Sequence, residues 1–173
     1  MRVVGWLILA GLGAPAPALA DDAGHRLSHA CLVAGGMHEY RCEPAAGTTR
    51  CALGAGVVAS FHGEPAEAAM VDLDAGVLVA SSVHLGESGF ATVVGRLRAL
   101  LADPEDHTER LRGGMGGTFD NAVWVWRVDG MVVFAEQFDG RITRSGVSCM
   151  TPTAFAELAA GRARQRSNGS RDL

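Results

Sequence analysis

The sequence predicts an α+β domain: an antiparallel sheet of about five or six strands with one main amphipathic helix packed on one face. Apolar residues recur at Phe90, Val93, Val94, Leu97, Leu100 and Leu101, the i, i+3, i+4, i+7 spacing of a buried helical stripe. Runs rich in β-branched and aromatic residues follow at 122–128, 131–138 and 141–149. Asp129-Gly130 and Asp139-Gly140 separate those runs, and both residue types tolerate the positive φ of a tight hairpin turn.

The helix is expected over 89–102. Ser88 stands where an N-cap hydroxyl satisfies an orphan amide, and Asp103-Pro104 closes the pattern because proline disfavours a helical residue before it. Ordering so short a segment costs about as much as burying its stripe returns, so the helix must lie on an apolar surface.

The three runs supply that surface as a meander. With two-residue loops at both Asp-Gly pairs, Val128 faces Met131 and Phe138 faces Arg141. Trp124, Trp126, Val128, Met131, Val133 and Ala135 then share one side, without a charge. Val123, Val125, Arg127, Val132, Phe134, Glu136, Phe138, Arg141 and Thr143 share the other. The tryptophan side is therefore assigned to the helix, in the knowledge that a one-residue slip exchanges the faces.

Before the helix, 56–62 reads as a strand, and 68–73 and 77–85 form a hairpin around a three-residue turn, Asp74-Ala75-Gly76. After it, 104–112 reads as a second short helix capped by Asp103. The glycine-rich 113–117 reads as a connector, since it lacks the Lys-Ser/Thr ending of a phosphate loop. Thr151-Pro152 opens a last helix through Phe155 and Leu158 that should stop at Gly161. The main α+β domain thus spans 56–161, and 162–173 is expected to be a disordered basic tail.

Residues 1–20 read as a secretory signal: Arg2, an apolar run over 3–12, and the small-x-small Ala18-Leu19-Ala20, cut after Ala20. The run falls short of the ~20 residues that span a bilayer, so no membrane span is expected in the mature chain. A periplasmic or secreted location follows. Residues 21–55 show little periodicity and read as an irregular Cys/His-rich segment. In an oxidising compartment Cys31, Cys42, Cys51 and Cys149 read as two disulfides. Of three possible pairings the simplest joins Cys31 to Cys42 and Cys51 to Cys149. The alternative is a copper or zinc site from His25, His29, Cys31, His38 and Cys42, although no C-x-x-C pair is present.

The formal net charge is −4, every basic residue besides histidine is arginine, and the arginines form no stripe with interleaved aromatics. A nucleic-acid partner is therefore not expected. Gly86-Glu87-Ser88-Gly89 is not the G-x-S-x-G of a nucleophile elbow, and no pattern implies a cofactor. The leading reading is a non-enzymatic exported module that binds a protein or small ligand on the uncovered sheet face around Arg127, Phe134, Glu136, Phe138 and Arg141. The competing expectation buries that face under the N-terminal segment. A small hydrolase is the remaining class, and it requires a His–carboxylate pair beside a hydroxyl in a pocket.

Overall fold

The structure, a computed structural model, describes residues 29–34, 36–45, 47–112 and 116–167. The signal-like 1–20, His25, most of the glycine-rich connector and 168–173 lie outside the described residues. The chain runs β1 (Tyr40–Ala45), β2 (Thr48–Leu53), β3 (Ala59–Phe61), β4 (Glu64–Asp74), β5 (Val77–Gly86) and α1 (Phe90–Leu101). Then come β6 (Glu105–Asp106), β7 (Glu109–Arg112), β8 (Thr118–Asn121), β9 (Val123–Val128), β10 (Met131–Glu136), β11 (Arg144–Met150) and α2 (Pro152–Ser167).

The fold is α+β with one large antiparallel sheet. It has nine strands rather than five or six, in the order β1-β2-β4-β5-β11-β10-β9-β6 with β3 on β4; β7 and β8 form a separate ribbon. The extra strands come from segments read as irregular or helical. Within 21–55, β1 and β2 form a hairpin in which Cys42 faces Cys51. Residues 104–112, read as a helix, instead become β6 and β7. There the free edge of β9 takes Glu105 opposite Val125, and the His107 amide donates to the Val123 carbonyl at 2.9 Å.

Turn geometry accounts for the other differences. Asp74 pairs with Val77, so the turn is two residues, with Ala75 at φ 47° and Gly76 at φ 82°. Asp129-Gly130 is the expected two-residue turn, with φ 50° and 78°, and Val128 faces Met131. Asp139-Gly140 is not a hairpin turn. Glu136 pairs with Gly146, leaving a wide loop over 137–143. The α1 helix starts one residue later than expected, behind a 3-10 turn at Glu87–Gly89, and no side-chain cap bond from Ser88 is made.

The α1 stripe packs as expected against the tryptophan side of the meander. Val93 and Leu97 are fully buried with Trp126, Val133 and Ala135 in one core that also holds Val71, Val83 and Leu85 of the other hairpin. Just past the helix, Ala102 turns to φ 71°, and its carbonyl accepts the Trp126 indole N–H at 2.9 Å. Arg98 lies 4.6 Å over Trp124. The opposite side of the meander is covered by α2, not by the N-terminal segment. Phe155 and Leu158 pack on Val123, Val125, Val132 and Phe134. The helix runs through Gly161 because Arg162, one residue on, is drawn in to Glu136. No helix among the described residues is long and apolar enough to cross a membrane.

The disulfides are Cys31–Cys149 and Cys42–Cys51, not the simplest pairing. Strand register decides it: Cys42 and Cys51 face each other across a hairpin, while Cys149 projects into the α1 core, where Cys31 lies buried. The chain-entropy cost of closing a loop grows with its length, and these separations are 118 and 9 residues. Urea unfolding should therefore show a loss of about 4–5 kcal/mol for C31S/C149S against roughly 3 kcal/mol for C42S/C51S. A larger loss from the short loop would mean that the hairpin, not the N-terminal tether, is the dominant constraint.

Candidate functional site

Alternation along the strands sends Ala69, Val71, Val83, Leu85, Val147 and Cys149 toward α1 and their neighbours to the other face. On that face α2 covers only the β9–β10 half. Over β4, β5 and β11 the floor is made of small or unbranched side chains: Ala68, Met70, Ala80, Ser82, Ser148 and Met150. Met70 is 41% exposed there.

Three adjoining hollows form a groove along this open half. One of about 360 Å³ lies between the 52–57 segment and β4–β5, lined by Val57, Glu67, Met70, Ser82 and His84 among others. One of about 200 Å³ is lined by His84, Glu136, Asp139, Ser148, Leu158 and Arg162. A third of about 120 Å³ shares Met70 and Ser82 with the first and Ser148 and Met150 with the second. His84 is common to the two larger hollows.

His84 is held from the wide 137–143 loop. Its Nε2 lies 3.0 Å from Asp139 Oδ2. The Asp139 backbone is pinned in turn, its N–H donating to the Arg144 carbonyl at 2.8 Å and its carbonyl accepting from Arg144 Nε at 2.9 Å. The carboxylate lies over Gly146, which faces His84 across the β5–β11 ladder. A Cβ at Gly146 would stand 2.8 Å from Asp139 Oδ2, so only glycine leaves that seat free. Bonding to His84 holds the Asp139 carboxyl below the usual carboxylate range, against the opposing effect of its burial.

The α2 end of the groove is a buried polar knot. Glu136, 2% exposed, accepts from Asn121 Nδ2 at 3.0 Å and from Arg162, while Asn121 Oδ1 accepts from the Phe138 amide at 2.8 Å. Burial pushes the Glu136 carboxyl up, and Arg162 pulls it part of the way back. Arg162 also lies 5.2 Å over the Phe134 ring.

The residues proposed from sequence as a contact face do not form one. Phe134 and Glu136 are buried under α2. Arg127 stays at the surface, bonded to Glu105 at 3.1 Å. Phe138 sits in the 137–143 loop, edge-on to Phe119 at 5.3 Å, and Arg141 is exposed farther along it. Nothing local in the sequence ties the last helix to this face, because its docking site on β9 and β10 is remote in the chain. For the metal alternative, Cys31 and Cys42 are disulfide sulfurs with no thiolate to offer, and His29 and His38 are exposed. Among the described residues no group of three or more His, Cys, Asp or Glu side chains is placed to hold a metal ion. The sequence does not pair His84 with Asp139, because 55 positions and the wide 137–143 loop separate them. The one local signal is a histidine that shares an alternating face with Ser82, Ala80 and Leu78.

Fold and groove together define a disulfide-tied α+β domain built on one large antiparallel sheet, with a polar pair set in the open face of that sheet. No protein-family model matches the chain, and no curated protein or solved structure does so either.

Two outcomes follow from this geometry. Gly146→Ala should push Asp139 off His84, which histidine-ring NMR at His84 will register; an unchanged ring environment would mean the glycine is not what seats the carboxylate. For Glu136 the folded state keeps the proton to higher pH than the unfolded chain does. The group therefore adds stability as pH falls from above its raised folded pKa toward the ordinary 4.5, and loses it as pH rises through the folded value. Urea titrations at stepped pH should show the gap between the native protein and Glu136→Gln moving in favour of the native protein on acidification. A gap constant with pH would contradict this.

Proposed function

We propose that this chain is an exported binding module whose contact site is the groove on the open half of the sheet. One observation carries the reading: His84, fixed by Asp139 at 3.0 Å, is the polar side chain shared by the 360 and 200 Å³ hollows. An oriented imidazole on a floor of small side chains suits a ligand with an apolar body and a few placed polar atoms. The signal-like 1–20 and the two disulfides support export. The site therefore lies on the face first proposed for contact, but on the half that α2 leaves bare.

A second reading, small-molecule hydrolysis, draws on Ser148, whose residue lines the 200 Å³ hollow with the His84–Asp139 pair. Nucleophilic catalysis requires the hydroxyl to be hydrogen-bonded to the imidazole, and among the described residues no bond joins His84 to Ser82 or Ser148. Ester turnover that Ser148→Ala abolishes would establish hydrolysis in place of binding.

The groove is tested with a fragment library followed by amide NMR. Bound fragments should perturb β4, β5 and β11. Ser82→Trp, which fills the floor from a partly buried position, should abolish those shifts while amides away from the groove keep their native pattern. Fragments that collect only under α2, beside Phe134 and Phe155, would move the site off this face.

A further inference from the structure

We infer that the Cys42–Cys51 bridge is a site of reversible thiol–disulfide exchange, opened by a small thiol of the glutathione class that attacks Cys42 while Cys31–Cys149 stays closed. This goes beyond the groove and does not rest on it. The two bridges share one row across the sheet, since Cys51 faces Val71, Val71 faces Ser81 and Ser81 faces Cys149. Their surroundings differ. Cys149 lies in the core under α1, and it and Cys31 are 0% and 1% exposed. β1 is the outermost strand at one end of the sheet, and on it Cys42 is exposed although its partner Cys51 is at 0%. Of the four cysteines only Cys42 is open to a reagent dissolved in water.

Exchange begins when a thiolate attacks one sulfur of a bridge, and an exposed bridge is the labile one. The incoming sulfur bonds to Cys42 Sγ as the Cys42–Cys51 bond breaks, and the electron pair leaves on Cys51 Sγ. A second thiolate then attacks the sulfur now attached to Cys42, and Cys42 leaves. Two small thiols have become one small disulfide, and the two protons they gave up end on Cys42 and Cys51. Register makes the change reversible. Six ladder pairs hold β1 to β2 with Cys42 opposite Cys51, and four more hold β2 to β4. The two sulfurs therefore stay face to face after reduction, and a small disulfide re-forms the bridge by the reverse steps. Cys31–Cys149 has no such arrangement. Cys31 stands on no strand of the sheet, the bridge joins residues 118 apart, and both sulfurs lie in the core beyond a dissolved thiol's reach.

The probe is reduced glutathione, added in excess to the folded full-length protein. Samples taken over time are quenched with N-ethylmaleimide in denaturant, so that burial does not bias the labelling, and each cysteine is read by peptide mass spectrometry. Cys42 and Cys51 should become labelled about tenfold or more faster than Cys31 and Cys149. Amide NMR should keep the native pattern of β5, β10 and β11 throughout, and excess oxidised glutathione should close the bridge again. Single variants read the direction of attack: the Cys42 thiol left by Cys51→Ser should take up glutathione from its disulfide, whereas the Cys51 thiol left by Cys42→Ser should not. Opening of Cys31–Cys149 at the same rate, no opening of Cys42–Cys51 short of unfolding, or a failure to reclose overturns the exchange site. Equal uptake by the two variants overturns the assignment of attack to Cys42, and the wild-type labelling decides the exchange site without them.

Discussion

The pairing of β5 with β11 is the constraint on which the rest of this structure depends. Seven residue pairs, from Arg144 opposite Gly86 to Met150 opposite Ala80, join the N-terminal hairpin to the C-terminal meander. Before that ladder forms, neither half has a surface broad enough to bury α1. After it forms, Val71, Val83, Leu85, Val133, Ala135 and Val147 make one apolar floor for Val93 and Leu97. Closing so long a stretch of chain is entropically expensive. The Cys31–Cys149 bridge reduces that cost by anchoring β11 to the residues that precede β1, under the same core.

The same ladder creates the other face and its asymmetry. A sheet this wide offers more surface than one sixteen-residue helix can cover, and α2 lies toward β9 and β10, where Phe134, Val123 and Val125 give Phe155 and Leu158 something apolar to meet. Its polar anchor is the Glu136–Arg162 pair, set against Asn121. Burying a carboxylate without a partner would be costly, and the asparagine amide and the guanidinium provide its bonds. The half left bare carries mostly alanines and serines, with Met70 and Met150 as its larger apolar side chains, so it stands open without exposing a broad oily patch.

Two local features shape that bare half. At Gly146 the missing side chain lets Asp139 lie over the ladder and reach His84. At Glu67 an extra residue breaks the alternation and adds a carboxylate to the 360 Å³ hollow on the other side of His84.

The α1 stripe, the Asp129-Gly130 turn and the allocation of Trp124 and Trp126 to the helix side were legible in the sequence. Each rests on residues close together in the chain, so period and turn chemistry suffice to place them. The disulfide pairing, the width of the 137–143 loop, the conversion of 104–112 to strand and the covering of Phe134 by α2 were decided by tertiary structure. In every one of these cases the partner lies far along the chain. Cys149 finds Cys31, Asp139 finds His84, the β9 edge claims Glu105, and Glu136 claims Arg162. The sequence carries the groups that seek such partners, but only the closed sheet determines which of them come within reach.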